Sequence, residues 1–246
     1  MVSYCTVTDI RNFSNVSTQE FSDTAVQQMI DRATQFIDMR TGRTWQGTNT
    51  VTNEYYDGDD TDLLWLNQSD IKSITALAID QSGDNVTYTT VTVTYANCYP
   101  EGYIVLNRSL AEVNLFKAGS KTVRISYTNG AANTTTINIL GGIDASTATI
   151  TVSNTDGFPI GGTILIESER IDYTGKTATT FTGCTRGAHG TTAATHATAL
   201  AVTEVANEIQ NLCILLVRNY MYQDSKRSAE IEVMISRLKR KASYIT

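Results

Sequence analysis

The sequence predicts an α+β protein: a helical core formed by the N- and C-terminal helices, with a β domain and a second, small inserted β module. Three observations carry this expectation. Apolar residues recur at helical spacing near both ends of the chain, over 21–42 and 204–222. The residues between them fall into short β-branched and aromatic runs separated by turn signals. From Ala131 to Thr203 the composition shifts to Thr, Ala and Gly. The expected division is 1–45 with 204–246 as a discontinuous helical core, 46–130 as a β-strand region, and 131–203 as the inserted module.

The late helix is the strongest signal. Val205, Ile209, Leu212, Cys213, Leu216 and Tyr220 keep the i, i+3, i+4, i+7 spacing of one face, and Ile214, Leu215, Val217 and Met221 fill the others. A helix apolar nearly all round needs cover on several sides, from its own domain or from other subunits. Its unbroken apolar run, Leu212 to Val217, is far short of the roughly 20 residues that cross a bilayer. Near the N-terminus, Thr8 is expected to cap a short helical turn, and Ser22 to cap a longer helix with Asp23 in its first turn. Phe21 is placed to staple onto Val26. Val26, Met29, Ile30, Ala33, Phe36, Ile37 and Arg40 mark one face of that helix, and Gly42 is its stop. About 20 residues at 1.5 Å rise give a rod of roughly 30 Å, a match in length for the late helix. The two are expected to pack, with Val26, Ile30, Phe36, Ile37, Ile209, Leu212, Leu216 and Tyr220 forming the helix core or subunit contact.

The excursion between them begins with Val51–Tyr56 and Leu63–Leu66 flanking Asp57-Gly58-Asp59-Asp60, a hairpin signal. Ile71–Asp80, Val86–Tyr95, Tyr103–Leu106 and Thr122–Thr128 continue the strands, and 110–116 reads as a helical turn. In the inserted module, strands are expected near Ala148–Val152, Thr163–Glu167 and Ile171–Tyr173. Seven glycines from Gly157 to Gly190 act as turns. After Asp224 an amphipathic helix returns. Ile231, Met234, Ile235, Leu238 and Ala242 form its apolar stripe, beside Lys226, Arg227, Arg237, Lys239, Arg240 and Lys241.

Charge is unevenly placed. The net charge is -6, but the residues from Asp224 onward carry +3, leaving -9 for the rest. An acidic body argues against general nucleic-acid binding, and a basic tail suits an acidic partner. The four cysteines, Cys5, Cys98, Cys184 and Cys213, have no disulfide or zinc spacing, and the N-terminus lacks a signal-peptide pattern. The expected compartment is reducing.

Catalytic and metal sites are not expected. Asp57 to Asp62 is acidic like a calcium loop, but an EF-hand requires Gly at its sixth position and Glu at its twelfth, where Asp62 and Gln68 stand. Cys184, His189 and His196 match no zinc arrangement. No nucleophile elbow, phosphate loop or dinucleotide fingerprint occurs. The expectation is therefore no enzyme, no cofactor and no metal.

One ordered set of segments carries more. TVTDIRNF, MIDRATQFIDMRTGRTW, EYYDGDDTDLLWLNQSDIKSITALAID, NLFKAGSKTVRISYTNG and EIQNLCILLVRNYMYQD follow one another in a succession that resembles the head–tail connector (adaptor) proteins of long-tailed bacteriophages. The resemblance spans 4–130 and 204–224. In that family a strand ending in Tyr-x-x-Gly leads almost directly into the last long helix. Here Tyr127-Thr128-Asn129-Gly130 is followed by the 131–203 module, which reads as an insertion. Its GFPIGGTILIESERIDYTG and FTGCTRGAHGTTAATH are similar to a small β unit of phage virion proteins. The resemblance implies a homo-oligomeric ring, commonly of twelve copies, that binds the portal protein and a stopper or tail-completion protein. Genomic DNA would pass through its lumen without sequence-specific binding. It implies a place at the head–tail junction of the virion after assembly in the host cytoplasm, without membrane contact. The family's C-terminal segment grips the portal, which here implies Lys226, Arg227, Ile231, Met234, Ile235, Arg237, Leu238, Lys239, Arg240 and Lys241. Alternatives are another ring-forming neck protein, such as a stopper or tail terminator, and a virion decoration or glycan-binding role for the 131–203 module.

Overall fold

The computed structural model describes residues 3–109, 113–223 and 225–239. It corrects the expected class. Among the described residues there are fifteen strands in four sheets against four α-helices, so the protein is mostly β, not a helical core with β additions. The unforeseen strands are two to five residues long, too short to leave a period that can be read.

The helices are α1 (Val7–Ser14), α2 (Asp23–Thr41), α3 (Asn207–Tyr222) and α4 (Ser225–Leu238). Thr6, not Thr8, caps α1. Its hydroxyl accepts from the Asp9 N–H at 3.1 Å while the Asp9 carboxylate accepts from the Thr6 N–H at 2.8 Å, a reciprocal capping box. Ser22 accepts from the Ala25 N–H at 3.2 Å at the start of α2. Gly42, at φ +64°, follows its end. No helix among the described residues is long and apolar enough to cross a membrane.

The chain divides into two compact units. Among the described residues the first holds 3–41, 45–47 and 132–239, so the four helices share one unit with the stretch expected to be a separate module. Alongside the helices it has a five-stranded sheet in the order β14-β11-β10-β15-β8 and a three-stranded sheet β12-β13-β9. The large sheet consists of β8 (Thr134–Thr136), β10 (Gly162–Ile166), β11 (Glu169–Tyr173), β14 (Thr185–Ala188) and β15 (Ala201–Val205). The small one consists of β9 (Thr149–Thr151), β12 (Gly175–Lys176) and β13 (Thr180–Thr182). Ile150, Ile164, Ile166, Ile171, Phe181 and Val202 are among the side chains that fill the core of this β part. β15 runs almost straight into α3, with only Ala206 between them, so the last strand of the sheet fixes where the helix starts.

α3 is the central helix, in contact with α1, α2 and α4. That gives its all-round apolar middle cover within one chain. Ile209, Leu212, Cys213, Ile214, Leu216 and Val217 are all buried.

The second unit holds 48–131 with 42–44 among the described residues. Its four-stranded antiparallel sheet runs β1 (Asn49–Gly58), β7 (Gly119–Asn129), β3 (Ile71–Asp80) and β4 (Tyr88–Val91). A three-stranded sheet pairs β2 (Leu63–Trp65), β6 (Tyr103–Leu106) and β5 (Ala96–Tyr99). The expected hairpin across Asp57–Asp60 does not form. β1 pairs with β7 and β2 with β6, so the acidic turn is a crossing between sheets. The expected strand over 86–95 is shortened to β4 and followed by a 3-10 turn at Val93–Tyr95. The turn expected at 110–116 falls partly outside the described residues. The core includes Leu77, Ile79, Ile104, Phe116, Val123, Ile125 and Tyr127.

β1 ends at a point of close approach. A Cβ on Gly58 would sit 2.1 Å from the Lys117 carbonyl oxygen, a backbone atom that cannot step aside. Gly58→Ala is therefore expected to destabilise the chain by about 2–3 kcal/mol through overpacking, read as a lower urea unfolding midpoint.

Candidate functional site

Two sets of groups were candidates, the tail helix and the facing helices. The helix-core set is internal. Val26, Ile30, Ile37, Ile209, Leu212 and Leu216 are buried, while Phe36 and Tyr220 are half-buried. The two half-buried rings carry cations: the Arg32 guanidinium lies 4.8 Å from the Tyr220 ring centre and Arg40 lies 5.6 Å from Phe36. Phe21 meets Tyr222 edge-on at 6.2 Å, and the Tyr222 hydroxyl donates to Glu20 at 3.0 Å, which joins the start of α2 to the end of α3.

The tail helix requires a correction. Ile231, Ile235 and Leu238, the apolar stripe assigned to a partner, are buried, and α4 packs on α2 and α3. The physical reason is effective concentration. An apolar stripe tethered next to exposed apolar helix faces covers them before any separate molecule can. Met234 and Arg227 are half-buried, whereas Arg237 and Lys239 are exposed. Glu232 pairs with Arg40 of α2 at 2.6 Å. Arg240 and Lys241 lie outside the described residues, as does the side chain of Lys226.

The densest chemistry lies elsewhere in the same unit, at a polar seam between α1, α3 and the five-stranded sheet. Asp9 is buried on α1. Its Oδ1 is 2.5 Å from His189 Nδ1, and its Oδ2 accepts from Gln210 Nε2 of α3 at 3.1 Å. The Arg170 guanidinium of β11, also buried, lies 3.7 Å from Asp9 Oδ2 and donates to the Ser3 carbonyl at 2.8 Å. On its other side His189 Nε2 is 3.0 Å from Asp172 Oδ1, which also accepts from Thr163 at 2.6 Å. The capping hydroxyl of Thr6 donates to the His189 carbonyl at 2.8 Å. The backbone makes the meeting possible. His189 and Gly190 have φ of +57° and +76°, and a Cβ on Gly190 would lie 2.0 Å from Thr8 Oγ1. Glycine lets the loop after β14 press onto the first turn of α1.

Thr163, His189 and Asp9 together have the outline of a nucleophile–base–carboxylate triplet, with Thr163 Oγ1 3.3 Å from His189 Nε2. The hydrogen bonds argue for a different role. Both imidazole nitrogens face carboxylates, so in its protonated form the ring donates to both and has no lone pair with which to take a proton from Thr163. The Asp9 contact raises the His189 pKa from its ordinary 6.5, against the effect of burial, and Asp172 adds to the rise. Burial pushes the Asp9 carboxyl up, but hydrogen bonds from His189 and the Thr6 backbone, with the His189 and Arg170 charges, bring it below its usual value. The arrangement is a charged clamp between helix and sheet.

A second clamp organises the long loop before β15. Glu169 is buried and accepts from five donors: Arg186 Nε and Nη2 at 2.8 Å each, the Gly187 N–H at 2.9 Å, the Ala194 N–H at 3.0 Å and His196 Nε2 at 2.7 Å. Burial raises its pKa, but these donors outweigh burial and bring it to about 2. His196 Nδ1 meets Glu167 at 2.8 Å. The three residues weighed as metal ligands are therefore dispersed. His189 and His196 serve separate clamps, and Cys184 Sγ lies 3.6 Å from the Phe181 carbonyl. Among the described residues no group of three His, Cys, Asp or Glu side chains is placed to hold a metal ion. The acidic turn is spent locally: Asp59 caps Thr61, and Asp60 accepts from the Ala118 N–H at 2.8 Å. Sequence reasoning missed both clamps, although two histidines in a glycine-rich loop were a usable signal once any partner carboxylate was in view.

No family model and no curated protein matches the chain. A chain in a solved structure of the neck of an empty GTA particle, computed with C6 symmetry, is similar over 50% of this chain and 64% of that one. The identity is 18% and the TM-score 0.30, a weak likeness.

Two outcomes follow from the clamps. Glu169→Gln is expected to cost about 3–5 kcal/mol, because it leaves Arg186 buried beside a neutral group. The wild-type contribution of Glu169 is present above about 4.5 and is lost as pH falls toward about 2. His189 works in the other direction. With its folded pKa raised, its contribution is full below 6.5 and is lost as pH rises through the folded value. Urea midpoints of wild type and His189→Gln between pH 5 and 9 are expected to differ most at the acid end of that range and to converge at the alkaline end.

Proposed function

We propose that this chain is a structural virion protein of the neck, a head–tail connector (adaptor) that forms a ring, of about twelve copies as in the family it resembles, beneath the portal. The observation that carries this reading is the ordered succession of five segments over 4–130 and 204–224. The geometry supports a structural role in two respects. Both histidines are committed to carboxylate clamps that hold loops in place. The basic residues Arg237 and Lys239 are exposed at the end of a helix whose apolar stripe is packed inward.

On this reading α4 grips the portal through charge, while Ile231, Ile235 and Leu238 anchor it to its own subunit. The acidic remainder of the chain suits a wall past which DNA moves, since every phosphate contact would add salt-dependent affinity. The tail-side neighbour is a stopper or tail-completion protein, and the ring is assembled in the host cytoplasm before it becomes part of the particle.

The double variant Arg237→Glu, Lys239→Glu is expected to keep the wild-type melting temperature and to bind the portal protein of its own particle at least ten-fold more weakly, by pull-down and native mass spectrometry. Unchanged affinity would remove the tail helix from the contact. A chain that stays monomeric with portal present would remove the ring.

A further inference from the structure

Cys5 and Cys213 are 208 positions apart in sequence, yet their sulfur atoms lie 2.9 Å apart. Both are buried, at 1% and 0% exposure, and both are free thiols. Cys213 sits in the middle of α3, and Cys5 lies on the short arm that leads into α1. That arm is fastened at several points. The Tyr4 N–H donates to Thr34 Oγ1 at 3.3 Å, the Tyr4 hydroxyl donates to Asp38, and the Ser3 carbonyl accepts from Gln46 at 2.9 Å and Arg170 at 2.8 Å. A disulfide needs an S–S separation of about 2.05 Å, so the sulfurs need approach by only about 1 Å. The other two cysteines have no such neighbour: Cys98 faces the Lys72 carbonyl and Cys184 the Phe181 carbonyl.

We propose that Cys5 and Cys213 are a cross-linking site, reduced where the chain is made and closed to an intrachain disulfide under oxidising conditions. The cross-link fastens the N-terminal arm to the central helix. It does not depend on the neck assignment.

The oxidant is a small-molecule disulfide of the glutathione type. The Cys5 thiol loses its proton and attacks one sulfur of that disulfide, releasing one small thiol and leaving a mixed disulfide on Cys5. Cys213 then loses its proton, attacks Cys5 Sγ and releases the second small thiol. Two protein thiols are oxidised and one small disulfide is reduced to two thiols. In the closed fold both sulfurs are shut away from solvent, and burial, with the Cys213 contact, pushes the Cys5 thiol well above its ordinary pKa. Reaction therefore requires the arm to lift, so its rate follows local opening and not simple exposure.

The test incubates the purified, reduced full-length chain with excess oxidised glutathione, then alkylates it and maps non-reduced peptides by mass spectrometry. The expected result is a Cys5–Cys213 peptide pair, two of the four thiols still alkylated, and a melting temperature higher by about 5 °C or more, since the closed loop is long. Tris(2-carboxyethyl)phosphine should reverse both changes. Cys5→Ala and Cys213→Ala should each lose the cross-link and the rise in melting temperature. Retention of four free thiols at equilibrium would overturn the proposal, as would glutathione adducts confined to Cys98 and Cys184. Because those readouts come from the wild-type chain, they stand even if a variant fails to fold.

Discussion

The buried carboxylate of Asp9 is the point on which the first compact unit turns. It closes the cap of α1, meets the imidazole of a loop that begins almost 180 residues later, and accepts from Gln210 on the central helix. A carboxylate out of water is costly unless donors surround it. Here one donor is the cap of its own helix and the others, His189 and Gln210, stand 180 and 201 residues away in sequence, so the charge is fully satisfied only when the distant elements are in place. The interaction thereby specifies one arrangement of helix and sheet. Apolar packing alone would tolerate several, because it has no direction.

Glu169 repeats the logic on the opposite flank of β11. Neighbouring residues on that strand, Glu169 and Arg170, are both buried and serve different partners: one holds the loop before β15, the other reaches Asp9 and the N-terminal arm. The strand is a charged spine with a clamp on each side. A loop of Thr, Ala and Gly has little apolar surface to bury, so it cannot pay its ordering entropy by hydrophobic contact. Charge-assisted hydrogen bonds to one fixed carboxylate supply what the side chains of the loop lack.

These constraints bear on how such a chain could serve in an assembly. The helices are satisfied within the protomer, since α3 has its cover from α1, α2 and α4. Any partner of such a protomer would meet surfaces other than the central helix seam. The exposed end of α4 is one such surface, held in place by its own apolar stripe.

The sequence by itself determined the long helices near both ends, the faces they bury, the stop at Gly42 and the strands of β3, β6, β7, β10 and β11. Periodicity and turn chemistry are local, and these elements are long or regular enough to show them. Tertiary structure alone decided that the chain is mostly β, that β1 pairs with β7 and not β2, and that the inserted stretch shares a unit with the helices. Short Thr-rich strands such as β8 and β13 have no pattern of their own and exist because a neighbouring edge accepts their backbone groups. The stripe of α4 was legible as apolar, but whether it faces a partner or its own chain depends on which surface is nearest. The clamps were invisible for the same reason. Asp9, Glu169, His189 and His196 are ordinary polar residues in sequence, and only the fold brings together the donors that let a buried charge remain charged.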